Sequence, residues 1–175
     1  SEPQGPEDLP QDIPVEPGKQ RFHSMSVSQP LASRTSGVVV LERTYAFSAS
    51  HRYYRPEWTP ARNQAVFGKC ANFPAHGHNY RLTVEVSGTV DRETGFTVNL
   101  PELDDLVRAV VVHRLDHAHI NDAVAAFAPG GEIPTTENLV VWIAGEIASH
   151  LPPANRLESV RLAEDDRLAS KWTRR

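Results

Sequence analysis

His76 and His78 stand two apart in Phe67-Gly-Lys-Cys-Ala-Asn-Phe-Pro-Ala-His-Gly-His-Asn-Tyr80, and Cys70 lies six residues before the first of them. On a strand, positions two apart project from one face, so both imidazoles point the same way and Gly77 leaves room between them. His51 ends an alternating run in which Tyr45, Phe47 and Ala49 share its face. If the two strands pair, three imidazoles converge. Three histidines without a fourth protein ligand suit zinc with an open position, whereas a closed structural site takes four. Copper or nickel would satisfy the same donors. The competing reading is an ordinary surface or hydrogen-bonded pair, since eight histidines produce close pairs by chance. His23, His113, His119 and His150 are assigned no role.

Cys70 has two readings as well. A free cysteine is commonly a small buried hydrophobe, but one that follows Gly68 and Lys69 in a loop, near a metal cation, is placed to become a thiolate. Asp116-His117 offers an acid–base pair, because an imidazole titrates near neutral pH. Glu164 continues the face of Val160 and Leu162. An inward carboxylate there needs a cation or donors to offset its burial, such as the N–H pair of a pterin or guanine edge. Alternatively the strand has ended and Glu164 joins Asp165 and Asp166 in solvent.

The elements that must position these groups are readable from periodicity. A strand runs from Val38 to His51, followed by a long loop from Tyr53 to Lys69 with room for a short helix. A second strand is expected from Asn79 to Val90, with Tyr80, Leu82, Val84 and Val86 on one face and Arg81, Thr83 and Glu85 on the other. Asp91–Gly95 reads as a turn and Phe96–Leu100 as a short returning strand. After Pro101, Leu103, Leu106, Val107, Val110 and Val111 fall at helical spacing. Thr135-Thr136-Glu137 opens a second helix, with a hydroxyl as N-cap and a carboxylate in the first turn. That helix buries Leu139, Val140, Ile143 and Ile147, and Pro152-Pro153 stop it. A last strand is expected from Leu157 to Glu164. The order strand, strand, strand, helix, helix, strand predicts an α+β domain, an antiparallel sheet with two helices on one face.

With 175 residues there is room for one such domain plus a tail. Residues 1–36 carry six prolines and no apolar period, so they are expected to be a disordered Pro-rich tail, with the domain over residues 37–175. Met25, the only methionine, is a candidate native start. Eighteen basic against twenty-two acidic residues give a net charge of −4, which excludes a protein that relies on a basic field to bind nucleic acid or an anionic membrane. No run approaches the roughly 20 apolar residues of a membrane span. A single cysteine cannot form an internal disulfide, and with no signal peptide in view the expected compartment is cytoplasmic.

Taken together, Phe47-Ser-Ala-Ser-His-Arg52, Phe67-Gly-Lys-Cys70, His76-Gly-His-Asn-Tyr80, Val98-Asn-Leu100, Leu115-Asp-His117, Thr135-Thr-Glu-Asn138 and Glu164 resemble the 6-pyruvoyl-tetrahydropterin synthase family, in family order from about Val39 to Trp172. The resemblance implies a zinc-dependent lyase that converts 7,8-dihydroneopterin triphosphate to 6-pyruvoyl-tetrahydropterin with release of inorganic triphosphate, in tetrahydrobiopterin biosynthesis. It implies the tunnelling fold, in which trimers close a barrel of strands and stack as a homo-hexamer, a dimer of trimers. It also implies that His51, His76 and His78 bind Zn2+ and that Cys70 is the catalytic base. By the same carry-over, Asp116 and His117 assist proton transfer, Glu164 anchors the pterin and joins the relay, and Glu137, Thr135 and Thr136 lie near the pterin pocket. Arg52, Lys69 and Arg81 are candidates for the triphosphate by position only.

Other classes stay open at this point. A related 6-carboxy-tetrahydropterin synthase of queuosine biosynthesis uses the same substrate, although there the cysteine typically sits closer to the His-x-His. A non-catalytic zinc-binding assembly module would keep the histidines and tolerate loss of Cys70. A zinc hydrolase would need only the three histidines.

Overall fold

The computed structural model describes residues 38–175, so the tail expected over residues 1–36 and its Met25 lie outside the described residues. Strand β1 (Val40–His51) leads into helix α1 (Pro60–Phe67), which Thr59 caps by accepting from Arg62 N. A 3-10 turn, Gly68–Ala71, then precedes β2 (His76–Gly88). Helix α2 (Leu100–Val107) continues through a π-helical stretch (Arg108–Val112) into α3 (His113–Leu115). Next come β3 (Ala118–His119), α4 (Ile120–Ala123), a 3-10 turn at Ala125–Phe127, α5 (Thr136–His150), β4 (Asn155–Ala163) and β5 (Ala169–Thr173).

The strands form one sheet in the order β3-β1-β2-β4-β5. All neighbours are antiparallel except β3, which pairs parallel to β1 at Ala49 and Ser50. Strand alternation decides what each face does. Tyr45, Phe47, Tyr80, Leu82, Val84, Val160 and Leu162 are buried against Leu103, Val107 and Val111 of the first long helix and Leu139, Ile143 and Ile147 of α5. This is the predicted two-helix layer, and its apolar burial is the main term holding sheet to helices. A bulge between Glu85 and Val86 shifts the β2–β4 register, so Leu157 and Val160 both face inward despite their odd spacing. The opposite face is polar, with Thr44 and Thr83 hydroxyls 3.2 Å apart and Lys171 donating to Glu85 at 3.1 Å.

Three expectations change. No strand forms at Phe96–Leu100: Phe96 is 62% exposed, and Asn99 caps α2 instead, its side chain accepting from Glu102 N, with Pro101 in the first turn. Capping chemistry outcompeted a short alternating pattern. Strand β2 begins at His76 rather than Asn79, which puts both histidines of the His-x-His inside the ladder. Strand β5 was absent from the sequence reading because Ala169-Ser-Lys-Trp-Thr173 is a mostly polar edge, set up when Asp165 Oδ1 accepts from Arg167 N at 2.6 Å and Leu168 N at 2.7 Å.

Candidate metal centre and active site

The β1–β2 register builds the centre. His51 lies directly opposite His76 and Ala49 opposite His78, so His76 is the cross-strand neighbour of His51 and His78 its diagonal one. One ring nitrogen from each of the three lies within 4.8 Å of the others. His51 is fully buried, and its Nδ1 stands 3.0 Å from the Pro134 carbonyl and 3.1 Å from the Tyr80 hydroxyl. A carbonyl oxygen only accepts, so Nδ1 carries the proton and Nε2 the lone pair. That Nε2 faces His76 Nε2 at 3.0 Å. Burial first, then the neighbouring His76 and His78, push His51 down to about 3, and burial likewise lowers His76 and His78. All three rings are therefore neutral at pH 7, the state a metal requires.

The donor set fits zinc on two observations. His76 Nδ1 and His78 Nε2 are buried polar atoms without a hydrogen-bond partner among the described residues, an expense that a metal ligand or its partner would relieve. Two nitrogens about 2.0–2.1 Å from a tetrahedral zinc sit roughly 3.4 Å apart, within the span of these atoms. The Pro134 carbonyl on His51 is the outer contact that fixes the tautomer of a ligating imidazole. It is supplied by the chain just before α5, where Thr135 caps the helix by accepting from Asn138 N at 3.3 Å.

Cys70 and Glu164 reach the same end of the sheet. Cys70 lies in the 3-10 turn that opens at Gly68, whose φ of 55° a side-chain-bearing residue would resist. Its carbonyl accepts from Tyr53 N at 2.9 Å. Burial, and then the charge of Glu164, push its thiol up. Lys69 beside it is exposed. Glu164 continues the inward alternation of Val160 and Leu162. Its side chain is 11% exposed and Oε2 stands 4.0 Å from His78 Nε2, beyond hydrogen-bond range. Burial and Asp165 raise its carboxyl, and Oε2 has no partner among the described residues. A buried acceptor of this kind awaits N–H donors.

On α5, Glu137 is exposed and held below the usual carboxylate range by its own N–H and the Thr135 hydroxyl. Thr136 is buried and accepts from Ser170 Oγ at 2.9 Å. Among the triphosphate candidates, Arg52 donates Nε to the Ala71 carbonyl at 2.8 Å and lies over Tyr54, while Arg81 reaches Asp166 at 3.6 Å on the helix-free face.

Asp116 and His117 are placed elsewhere. They dock on β1 at Ser48, whose N–H donates to Asp116 Oδ1 at 2.8 Å and whose carbonyl accepts from His117 N at 2.6 Å. His117 Nδ1 is 3.0 Å from Asp116 Oδ2. Ser48 projects from the face opposite His51 and lies three residues, about 10 Å, along the strand from it. The His117 side chain is 82% exposed, beside a groove of about 350 Å³ that Ser48, Ser50, Gly77 and Asn79 line together with His78. Within one chain neither member of the acid–base pair bonds to a histidine of the triad. His117 also has a φ of 58°, a conformation histidine adopts at some cost.

Residues 40–174 match the family model described as 6-pyruvoyl tetrahydropterin synthase. The chain belongs to this family. A Drosophila melanogaster relative named 6-pyruvoyl tetrahydrobiopterin synthase is 41% identical over 127 residues, 73% of this chain and 74% of that one. A Homo sapiens relative of the same name is 36% identical over 126 residues, 72% of this chain and 85% of that one. The structure of Caenorhabditis elegans 6-pyruvoyl tetrahydropterin synthase matches with a TM-score of 0.71 at 28% identity, covering 79% of this chain and 97% of that one.

As a member of the 6-pyruvoyl tetrahydropterin synthase family the chain is an enzyme of the tunnelling fold. Three contributors to its centre escaped the sequence reading: the Pro134 carbonyl, the Tyr80 hydroxyl and the Tyr53 ring. Tyr80 carried a signal, since it shares a strand face with His76 and His78. The carbonyl carried none, because any residue supplies one.

Proposed function

We propose that the chain is a zinc-dependent lyase that converts 7,8-dihydroneopterin triphosphate to 6-pyruvoyl-tetrahydropterin and inorganic triphosphate. The observation that carries this reading is the convergence, in one chain, of three neutral imidazoles, a thiol and an inward carboxylate at one end of the sheet. Zinc held by His51, His76 and His78 supplies a Lewis acid that acidifies the C–H bonds next to the substrate's side-chain oxygens. Cys70 Sγ takes a proton from the side chain and returns it to the neighbouring carbon, once the metal's charge has offset the burial that keeps it a thiol. Glu164 accepts from the N–H edge of the pterin, and Glu137 with Thr135 and Thr136 borders the ring.

Asp116 and His117 act from a neighbouring copy. In support, β1 has no strand partner along its outer edge from Val40 to Ser48 among the described residues, and β5 is the opposite edge of the sheet. Copies joined edge to edge would close the polar faces into a barrel and carry the exposed His117 of one copy toward the triad of the next. A homo-hexamer of two such trimers is the proposed assembly. No helix among the described residues is long and apolar enough to cross a membrane, and a reducing compartment such as the cytoplasm would keep Cys70 a thiol.

The test is incubation of the zinc-loaded protein with 7,8-dihydroneopterin triphosphate and mass analysis of the pterin. A pyruvoyl product with stoichiometric triphosphate is expected. A carboxy product would move the chain to the queuosine-type reaction, and no product would leave only a zinc-binding module.

A further inference from the structure

The turn that carries Cys70 is weakly held by its own residues. It is four residues long and only Ala71 in it is buried. Yet a base must stand within about 3–3.5 Å of the carbon it deprotonates, and a displacement near 1 Å can cost about a hundredfold in rate. Arg52 Nε ties the turn's last residue through the Ala71 carbonyl at 2.8 Å, and Tyr53 ties Cys70 itself. Its N–H donates to the Cys70 carbonyl at 2.9 Å, while its ring packs on His51 at 4.7 Å and faces the edge of His76 at 6.5 Å.

That ring also meets Phe67, the last residue of α1, edge to face at 6.0 Å. Phe67 stacks on Trp58 at 5.6 Å, nearly parallel, and the Arg62 guanidinium covers Trp58 at 4.0 Å. Such aromatic and cation–π contacts resist sliding beyond what burial alone supplies. Buried Asn63 fastens the start of the loop to α1, accepting from Arg55 N at 2.8 Å and donating to the Arg55 carbonyl at 3.0 Å. A continuous column therefore runs from the surface through Phe67, one residue before the Cys70 turn, to a metal ligand.

We propose that Tyr53 is a positioning residue whose ring and backbone N–H lock the Cys70 turn at a set distance from the three imidazoles. This rests on the lyase reading for the role of the thiol, and on packing geometry for the lock. The ring is what matters, because it spans His51 and Phe67 at once.

The test compares Tyr53→Ala, Tyr53→Leu and Tyr53→Phe in the zinc-loaded full chain, with zinc content, iodoacetamide alkylation of Cys70 and steady-state kinetics read together. Tyr53→Ala is expected to keep its zinc, to be alkylated roughly tenfold faster because the turn opens more often, and to lose roughly tenfold to a hundredfold in kcat with KM within about threefold. Tyr53→Leu keeps apolar volume for folding and is expected to move in the same direction. Tyr53→Phe restores both alkylation rate and kcat to within about twofold. Alkylation rates in Tyr53→Ala and Tyr53→Leu indistinguishable from the parent would overturn the inference, as would a Tyr53→Phe variant that behaves like Tyr53→Ala. If the parent itself does not turn over the substrate, the lyase reading fails, while zinc content and alkylation still decide whether the lock exists.

Discussion

Replacing His51 should separate two contributions that the structure assigns to a single ring. In the metal-free chain this imidazole is fully buried, with the Pro134 carbonyl and the Tyr80 hydroxyl at its Nδ1. His51→Ala leaves those groups without their partner and opens a void where the ring stood, for a combined loss of about 2–4 kcal/mol. His78→Ala removes a ring that is only partly buried and whose Nε2 bonds to nothing among the described residues, so its cost is below about 1 kcal/mol. If the triad binds zinc as proposed, the metal at about a hundred times its dissociation constant should stabilise the parent by about 2.7 kcal/mol, which would raise Tm by about 5–11 °C in a chain of this size. Each variant should lose most of that gain. The assay is thermal unfolding by circular dichroism with chelator and at fixed free zinc. A zinc-dependent shift of parental size in either variant would refute the three-histidine centre, and a metal-free His78→Ala as unstable as His51→Ala would refute the reasoning from burial.

Asp104 accepts from Arg43 Nε and Nη2 at 2.9 and 2.7 Å and from the Tyr45 hydroxyl at 3.0 Å, tying α2 to β1. The Arg43 side chain, hydrogen-bonded to it, holds this carboxyl below its usual range. Its stabilisation is therefore complete above the unfolded carboxylate pKa near 4 and is lost as pH falls through the depressed folded value. Asp104→Asn should lower neutral-pH stability by about 1–2 kcal/mol, discounted for the half-exposed arginine, and should lose less further stability than the parent on acidification; urea unfolding at neutral and acid pH checks both. If a neighbouring copy completes each site, co-expressed Cys70→Ala and His117→Ala chains should recover up to about a quarter of parental activity in mixed oligomers, though each alone is inactive. No recovery in isolated mixed oligomers would place both residues in one chain's site.

Much of this centre was legible because strand alternation is a strong constraint. His51, His76 and His78 converge, and Glu164 turns inward, for the same reason that Phe47, Tyr80 and Leu162 are core. Thr135 capped α5 as its hydroxyl suggested. The missed features depend on contacts that have no local pattern. The Pro134 carbonyl meets His51 across 83 residues, and β5 is a polar edge whose partner, β4, is needed to make it a strand. Phe96–Leu100 misled because a short alternation cannot be told from a loop whose end caps a helix. Asp116-His117 matched in sequence but bonds to the β1 backbone at Ser48 and to no histidine of the triad, a placement that only the folded sheet reveals.

The central claim is that Cys70 performs chemistry at a zinc centre which does not need it for binding. The decisive measurement is turnover of 7,8-dihydroneopterin triphosphate by Cys70→Ala, alongside its zinc content and its mass by light scattering. One zinc per chain and an unchanged oligomer, with loss of activity by at least about a hundredfold, is the predicted result. Undiminished formation of the pyruvoyl product would contradict it.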